Sequence, residues 1–246
     1  AVDFITKPYN ALIVKSRIDS VIKLRESSMT LAAIEKDELT GLYTRQAFYH
    51  HARTYTHFMT EEKFNVVILD VSDFKLINGT YGTKKGNEVL VYLSNAFRYY
   101  VKNGLLTRYE GDQLLGLFHS KVKMDVERIN RNINKIAEEA PIPNIRIKVG
   151  IYEDVDTNLS IPVICDRALM AEKSISKDFK TNVAFYTDEM NQKQLVQRQM
   201  ENDFKSAIAN REFKVYYQPK YDVNTENIVG AEALVRWQKP DGTLIS

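Results

Sequence analysis

Residues 64 to 71 read Phe-Asn-Val-Val-Ile-Leu-Asp-Val, a nearly continuous apolar run that ends beside a carboxylate, Asp70. A strand without polar alternation is expected in the middle of a sheet, with other layers packed on both of its faces. The neighbouring sequence supplies those layers. After Gly86, Val89, Leu90, Leu93, Phe97 and Val101 recur at helical spacing, with Asn103-Gly104 as the expected stop. Short strands over 105–108 and 114–118 flank Glu110-Gly111-Asp112, a spacing that predicts a hairpin. A polar helix over 125–138, a half-buried strand over 145–151, a helix over 161–174 and a strand over 183–186 complete the region. Residues 37–187 are therefore expected to form an α/β (α+β) domain, with helices packed on a central mixed sheet.

The ends of the chain read differently. From Asn10 to Arg25, Leu12, Ile13, Ile18, Val21, Ile22 and Leu24 follow a helical stripe, and Leu31 and Ile34 prolong it beyond Ser27-Ser28 as a helical linker. From Asn191 the pattern is a polar helix to Asn210, a strand over 213–218, a turn over 222–227 and a strand over 228–237. A helix and a hairpin of about 55 residues bury too little surface for secure independent stability, so this tail is expected to open a truncated domain. At 246 residues the chain has room for one or two domains. Its 34 Lys and Arg against 32 Asp and Glu leave +2, too little to make nucleic acid the default partner. The single cysteine, Cys165, leaves no intramolecular disulfide, and with no secretory leader the expected compartment is the cytoplasm. No apolar run approaches the roughly 20 residues of a membrane span.

Asp70 at a strand end and Asp112 in a hairpin turn could converge on one hard divalent cation, which takes one or two carboxylates and completes its shell with substrate phosphates. Spacing alone leaves open that both are solvated turn carboxylates. Gly82-Thr83-Lys84-Lys85-Gly86 lacks the ending of a phosphate-binding P-loop, and His50, His51, His57 and His119 show no metal-ligand pattern.

Three ordered blocks carry a resemblance. Asp37-Glu38-Leu39-Thr40-Gly41-Leu42-Tyr43-Thr44-Arg45, then LDVSDFKLINGTYGTKKGNEVL from Leu69 to Leu90, then RYEGDQLLGLF from Arg108 to Phe118, together resemble the GGDEF family of diguanylate cyclases, and CDRALMAEK from Cys165 to Lys173 continues the match. The resemblance implies a nucleotidyl-cyclase-like fold in which two GTP-bearing domains meet face to face and make cyclic di-GMP with the help of Mg2+ or Mn2+. It places Asp70, the carbonyl of Val71 and Asp112 on the metal, and puts Asp112 in the catalytic turn. Asn78 falls at a guanine contact and Asn87 where the family reads guanine with an Asp. Lys173 falls at a phosphate contact, and Lys177 where an Arg is usual. Phe74 and Ile77 are expected in the core, and Gly82 in a turn. The tail, FKVYYQPKYDVNTENIVGAEALVRW, resembles the start of an EAL-family cyclic di-GMP phosphodiesterase, with Glu232 on a metal-binding and catalytic position and Arg236 on a substrate phosphate. The remaining ligands of such a site would lie beyond Ser246. Ala1-Val2-Asp3-Phe4-Ile5-Thr6-Lys7-Pro8-Tyr9 resembles the last strand of a response-regulator receiver, in which Lys7 would contact the phosphoryl group and an upstream sensor histidine kinase would be the partner.

The departures from the family pattern bear on activity. Glu110-Gly111-Asp112-Gln113-Leu114 stands where the family has its signature, so a bulky anion replaces the first glycine and an amide replaces a carboxylate. A like-charge pair about 4 Å apart costs on the order of 4 kcal/mol at an effective dielectric near 20, so Glu110 is expected to repel a triphosphate unless it points away. Asn87 serves guanine only in part, since an amide offers one acceptor and one donor group where a carboxylate offers two acceptors. Val101 and Gly104 occupy the positions of the usual inhibitory Arg and Asp, so product feedback at that site is not expected. The expected organisation is a receiver end at 1–25, a linker at 26–36, a degenerate GGDEF domain at 37–190 and an EAL start at 191–246. The expected role is a GTP-binding or dimerising regulatory module of a cyclic di-GMP phosphodiesterase, working as a homodimer. An active cyclase and a nucleotide-free dimerisation scaffold are the alternatives.

Overall fold

The computed structural model describes Lys15, Ile18 and residues 35–58, 63–119, 124–176 and 181–245. The receiver-like strand with Lys7, the helix expected over 10–25, most of the linker and Lys177 lie outside the described residues. The chain divides into two compact units, the first reaching Thr187 and the second running from Asp188.

The first unit runs β1 (Tyr43–Thr44), α1 (Arg45–Phe58), β2 (Phe64–Val71), α2 (Phe74–Tyr81), α3 (Thr83–Tyr100), β3 (Leu105–Glu110), β4 (Gln113–His119), α4 (Val126–Glu138), β5 (Ile147–Tyr152), α5 (Ile161–Lys173) and β6 (Val183–Phe185). The strands form one mixed sheet in the order β1-β3-β4-β2-β5-β6, parallel at its two outer pairs and antiparallel between. The apolar run is thus a central strand, as its composition requires. Val67, Leu69 and Val71 join a core with Val89, Leu93 and Phe97 of α3 and Ile133 of α4. Phe64, Val66 and Ile68 join a second core with Phe48 of α1 and Ile164, Cys165 and Ala168 of α5. Successive residues of a strand point to opposite faces, so β2 fills both cores at once. Burial pushes the Cys165 thiol up to about 12, which leaves it a small apolar packing group.

Two helix limits differ from the sequence pattern. The helix expected after Gly86 already begins at Thr83, and Gly86 lies inside it. A Cβ at Gly86 would overlap the Asn78 side-chain oxygen, so the glycine there serves the crossing of α2 and α3 and is no helix boundary. The helix also ends at Tyr100, where the N–H of Val101 closes on the Phe97 carbonyl, before Asn103 takes a left-handed conformation at φ 60°. Phe74 and Ile77 pack against the first core, and Gly82 sits in a turn at φ 83°. At the start of α4, Asp125 accepts from the N–H groups of Glu127 and Arg128 and satisfies two donors of the first turn.

The Asp37–Leu42 block is a structural hub. The Asp37 carboxylate accepts from Thr40 N–H at 2.8 Å, from its hydroxyl at 2.7 Å and from Arg108 Nη1 at 3.2 Å. Arg98 of α3 donates to the Thr40 carbonyl at 2.8 Å, so this turn ties β3 to α3. Burial opposes the charge on Asp37, but the Thr40 and Arg108 bonds outweigh it and hold the carboxyl below its ordinary range.

The second unit contains α6 (Asp188–Ala209), β7 (Phe213–Tyr221), β8 (Ile228–Gln238) and β9 (Leu244–Ile245), the strands forming an antiparallel sheet in that order. β9 is an addition to the helix and hairpin that the sequence predicts. Aromatic packing joins these elements, with Phe213 against Phe204 and against Trp237 at centroid distances of 5.4 and 5.2 Å. The Trp237 indole N–H donates to Glu212 at 2.8 Å. No described helix is long and apolar enough to cross a membrane.

Candidate functional site

One face of the central sheet changes character along its strands. Across β4, β2 and β5, Leu117, Val66 and Tyr152 form one row, and Leu115, Ile68 and Gly150 form the next. The following row is polar. Gln113 donates from Nε2 to Asp70 Oδ2 at 3.1 Å, and Lys148 is the register partner of Asp70 on its other side. α5 covers this face closely, because a Cβ on Gly150 would collide with the Ala168 carbonyl and the Glu172 backbone nitrogen. Glu172 is thereby placed above the polar row, 3 % exposed, with its carboxylate 3.6 Å from Lys148 Nζ.

Asp112 joins this group from the turn between β3 and β4. Its carboxylate accepts the N–H of Val71, while burial first, and the charge of Asp70 second, raise its pKa. Burial also raises the Glu172 carboxyl, with Asp70 adding to the rise and Lys148 and Lys173 opposing it. A carboxyl such as Asp112, whose ionised form is opposed by burial and by the charge of Asp70, suits a hard divalent cation, whose charge offsets both. The fit is to a sparse site. Among the described residues no three His, Cys, Asp or Glu side chains are grouped to hold a metal, so Asp70, Asp112 and the Val71 carbonyl would share the ion with ligand oxygens. The Gln113 amide already occupies one Asp70 oxygen in this state.

Glu110 heads the same hairpin, and its exposed carboxylate lies 3.7 Å from Arg45 Nη1 of α1. The repulsion expected from its charge is therefore partly offset by a nearby cation. Gly111 takes a left-handed φ of 56°, and nothing lies within 4 Å of where its Cβ would be, so the turn leaves open space beside Asp112.

Asn78 and Asn87 stand near the crossing of α2 and α3. The Asn78 side-chain oxygen is buried, has no hydrogen-bond partner among the described residues, and rests against Gly86, the residue before Asn87. Asn87 is exposed and lines a depression of about 410 Å³ with Leu39, Lys84, Glu88, Val91 and Tyr92. Lys85 holds the Glu88 carboxylate at 2.6 Å. The Asn87 amide beside Leu39 and Tyr92 offers hydrogen-bond donors and an acceptor next to an apolar wall, a combination that suits a flat heteroaromatic base. Lys173, at the end of α5, is exposed and close enough to Glu172 to lower its pKa. The structure thus brings together Asp70, Val71 and Asp112, whereas Asn78 is buried against Gly86 and Asn87 lies exposed in the neighbouring depression.

Sequence reasoning missed Lys148 and Glu172, and read Gln113 only as a lost carboxylate. Lys148 is a polar position in the alternating strand Ile147-Lys148-Val149, a signal that becomes specific only when the register sets it beside Asp70. Glu172 was legible only as one polar residue within a helix.

In the second unit, Glu232 and Arg236 share one face of β8, four residues apart. The Glu232 carboxylate is 3.5 Å from Lys220 Nζ, and Arg236 donates from Nη1 to the Val235 carbonyl at 3.0 Å.

The family model described as "Diguanylate cyclase, GGDEF domain" matches residues 34–177, and that described as "EAL domain" matches residues 201–246. The chain is 26 % identical to the bifunctional diguanylate cyclase/cyclic di-GMP phosphodiesterase MucR of Pseudomonas aeruginosa, over 76 % of this chain and 28 % of that protein. It is 27 % identical to the cyclic di-GMP phosphodiesterase PdeR of Escherichia coli, over 85 % of this chain and 32 % of that protein. The chain spans about a third or less of the length of these relatives. The fold is similar to that of the coiled coil and GGDEF domain of DgcB from Caulobacter crescentus, crystallised in complex with c-di-GMP. The TM-score is 0.54 at 18 % identity, covering 71 % of this chain and 97 % of DgcB's.

Proposed function

Because the chain belongs to the GGDEF diguanylate cyclase family over residues 34–177, with an EAL segment behind it, we propose that it is part of a cyclic di-GMP signalling protein whose GGDEF unit binds GTP as a regulatory module and makes no product. One observation carries this reading. The signature turn bears Glu110 and Gln113, and the Gln113 amide is bonded to Asp70, one of the two carboxylates a cation would need.

In this reading Asp70, Asp112 and the Val71 carbonyl hold Mg2+ or Mn2+, which would neutralise the triphosphate. Asn78 and Asn87 face the base, and Lys173, with Lys177 beyond it in sequence, faces the phosphates. Phosphoryl transfer depends on positioning and on charge placed where it develops in the transition state, so an anion at 110 and a missing carboxylate at 113 suppress turnover more than binding. The regulated activity is the phosphodiesterase chemistry of the EAL domain, with Glu232 at its metal and Arg236 at a substrate phosphate. The relation to PdeR supports this assignment. The organisation proposed is a receiver end at 1–25 with Lys7 at the phosphoryl group, a linker at 26–36, the GGDEF unit at 37–190 and the EAL start at 191–246. A sensor histidine kinase upstream and a homodimer complete the proposal.

An active cyclase is the second reading. The retained Asp70 and Asp112 pair and the Arg45 contact to Glu110 favour it, as does the relation to the bifunctional MucR. Calorimetric titration of the chain with GTP and Mg2+, beside Asp70→Ala, followed by chromatography for cyclic di-GMP, separates the readings. Binding that Asp70→Ala abolishes, without product, is the expected result. Product formation establishes the cyclase, and no binding at millimolar GTP leaves a nucleotide-free scaffold.

A further inference from the structure

Lys148 and Glu172 form a buried ion pair at the polar row of the first unit, with Nζ 3.6 Å from Oε1 and side chains only 19 % and 5 % exposed. A buried pair is a poor source of stability, because taking both charges out of water costs about as much as their attraction returns. Its position says more. Lys148 is the register partner of Asp70 across β2 and β5, so the two side chains leave the same face of the sheet from Cβ atoms about 4.5–5.5 Å apart.

Both partners are held in place. Ile147 and Val149, the neighbours of Lys148 along β5, are buried in the first core on the opposite face of the sheet, which turns Lys148 toward α5. Glu172 comes down on this face because Gly150 has no side chain, and a Cβ there would collide with the Glu172 backbone nitrogen. Glu172 also responds to Asp70. Burial first, and the Asp70 charge second, raise its pKa, and Lys148 is the largest influence in the other direction. The charge of Asp70 acts on Asp112 in the same sense. Three carboxylates thus share one neighbourhood. Among the described residues, Lys173 is exposed and Arg108 is engaged by Asp37 at 3.2 Å, so Lys148 is the cation buried within the row. In this state Glu172 is committed to Lys148 and is not grouped with Asp70 and Asp112 as a metal ligand.

An ammonium group and a divalent ion at this point answer the same negative charge. We infer that Lys148, held by Glu172, is a tethered competitor of the divalent ion at Asp70 and Asp112, and sets how weakly free Mg2+ or Mn2+ binds there. This role depends on the proposed binding of the metal by Asp70 and Asp112. With Lys148 in place a free ion gains little, and it is retained when nucleotide phosphates supply further oxygens. Removal of the ammonium leaves three carboxylates whose mutual repulsion a divalent ion relieves.

The test is a spin-resonance titration of the 246-residue chain with Mn2+, comparing the parent, Asp70→Ala, Lys148→Met, Glu172→Gln and the variant with both of the last two substitutions. Lys148→Met keeps the length of the side chain and removes its charge. It is expected to bind Mn2+ about tenfold tighter than the parent, and Glu172→Gln about tenfold weaker. The double variant falls within about threefold of the parent, because losing one charge of each sign leaves the net charge of the row unchanged. Without metal, Lys148→Met melts below the parent, and saturating Mn2+ raises its melting temperature by more than it raises the parent's. A pair that served packing alone would give the opposite sign, weaker Mn2+ binding along with the lower melting temperature. That result overturns the proposal, as does an unchanged Mn2+ affinity in Lys148→Met with an unaltered circular dichroism spectrum. Should Lys148→Met not fold, the step from Glu172→Gln to the double variant reads the same removal of charge and is expected to tighten Mn2+ about tenfold. Binding to the parent that survives Asp70→Ala undiminished, or no Mn2+ binding by any of these proteins, overturns the metal assignment and the role of Lys148 with it.

Discussion

The two sheets of this chain have equally regular ladders and very different surroundings. In β2 every residue except Asp70 is 7 % exposed or less, whereas Val215, Tyr217 and Val229 of β7 and β8 are each more than half exposed. Pairing in the second sheet nonetheless runs unbroken from Phe213 opposite Trp237 to Lys220 opposite Gly230. Backbone hydrogen bonds and a tight turn are therefore enough to set a register, but a core needs helices laid over the faces. Where helices cover both faces, as in the first unit, the point at which the cover ends also decides where polar side chains gather. The row of Gln113, Asp70 and Lys148 marks that point.

The contrast is most exposed to test at two glycines. Gly150→Val in the covered sheet drives a side chain into the Ala168 carbonyl and the Glu172 backbone, and is expected to destabilise the first unit by more than about 3 kcal/mol. Urea denaturation that places the variant within about 1 kcal/mol of the parent would break the claim of close cover. Gly230 is the matched position in the bare sheet, where nothing lies within 4 Å of its Cβ site.

Next in size is the polar row itself. Gln113→Glu replaces the donor to Asp70 with a third carboxylate, so the affinity for Mn2+ is expected to rise about tenfold, or about 1.4 kcal/mol. The melting temperature without metal should fall at the same time, because the like charges are then uncompensated. Unchanged Mn2+ affinity in a spin-resonance titration would mean that Gln113 does not govern access to Asp70.

Asp37→Asn follows. It weakens the hold of the Asp37 turn on Arg108 and is expected to cost about 1 kcal/mol at pH 7, a modest figure because the pair is partly exposed to solvent. The folded-state pKa of Asp37 is lowered, so its stabilising effect is present above the unfolded value near 3.9 and is lost as pH falls through the folded one. The difference between variant and parent should therefore be full at neutral pH and close in acid. A difference that stays constant down to pH 2 would assign the effect to packing instead. The smallest effect is expected for Gly230→Val, within about 0.5 kcal/mol of the parent. A large loss there would show that the second sheet carries hidden close packing.

Much of this architecture was legible in advance because its signals are local. The run from Phe64 to Val71 had to be a central strand, the spacing around Glu110-Gly111-Asp112 had to be a hairpin, and Asp70 and Asp112 stood at the ends of the elements that carry them. Gly86 misled as a helix boundary because a glycine's purpose depends on what lies against it, here the side chain of Asn78 on a neighbouring helix. Lys148 and Glu172 were silent for a similar reason. One is an ordinary polar residue in an alternating strand and the other an ordinary polar residue in a helix.

By itself, then, the sequence determined the periodicities, the buried central strand, the order of the motifs and the family to which they belong, since each depends on residues close together in the chain. Only the tertiary structure decided that Gln113 bonds to Asp70 and that Lys148 stands opposite it. It also placed Glu172 above them, shielded from water. Those relations depend on strand register and on how closely each helix settles, which are set by side-chain volumes summed over the whole unit and by no single segment.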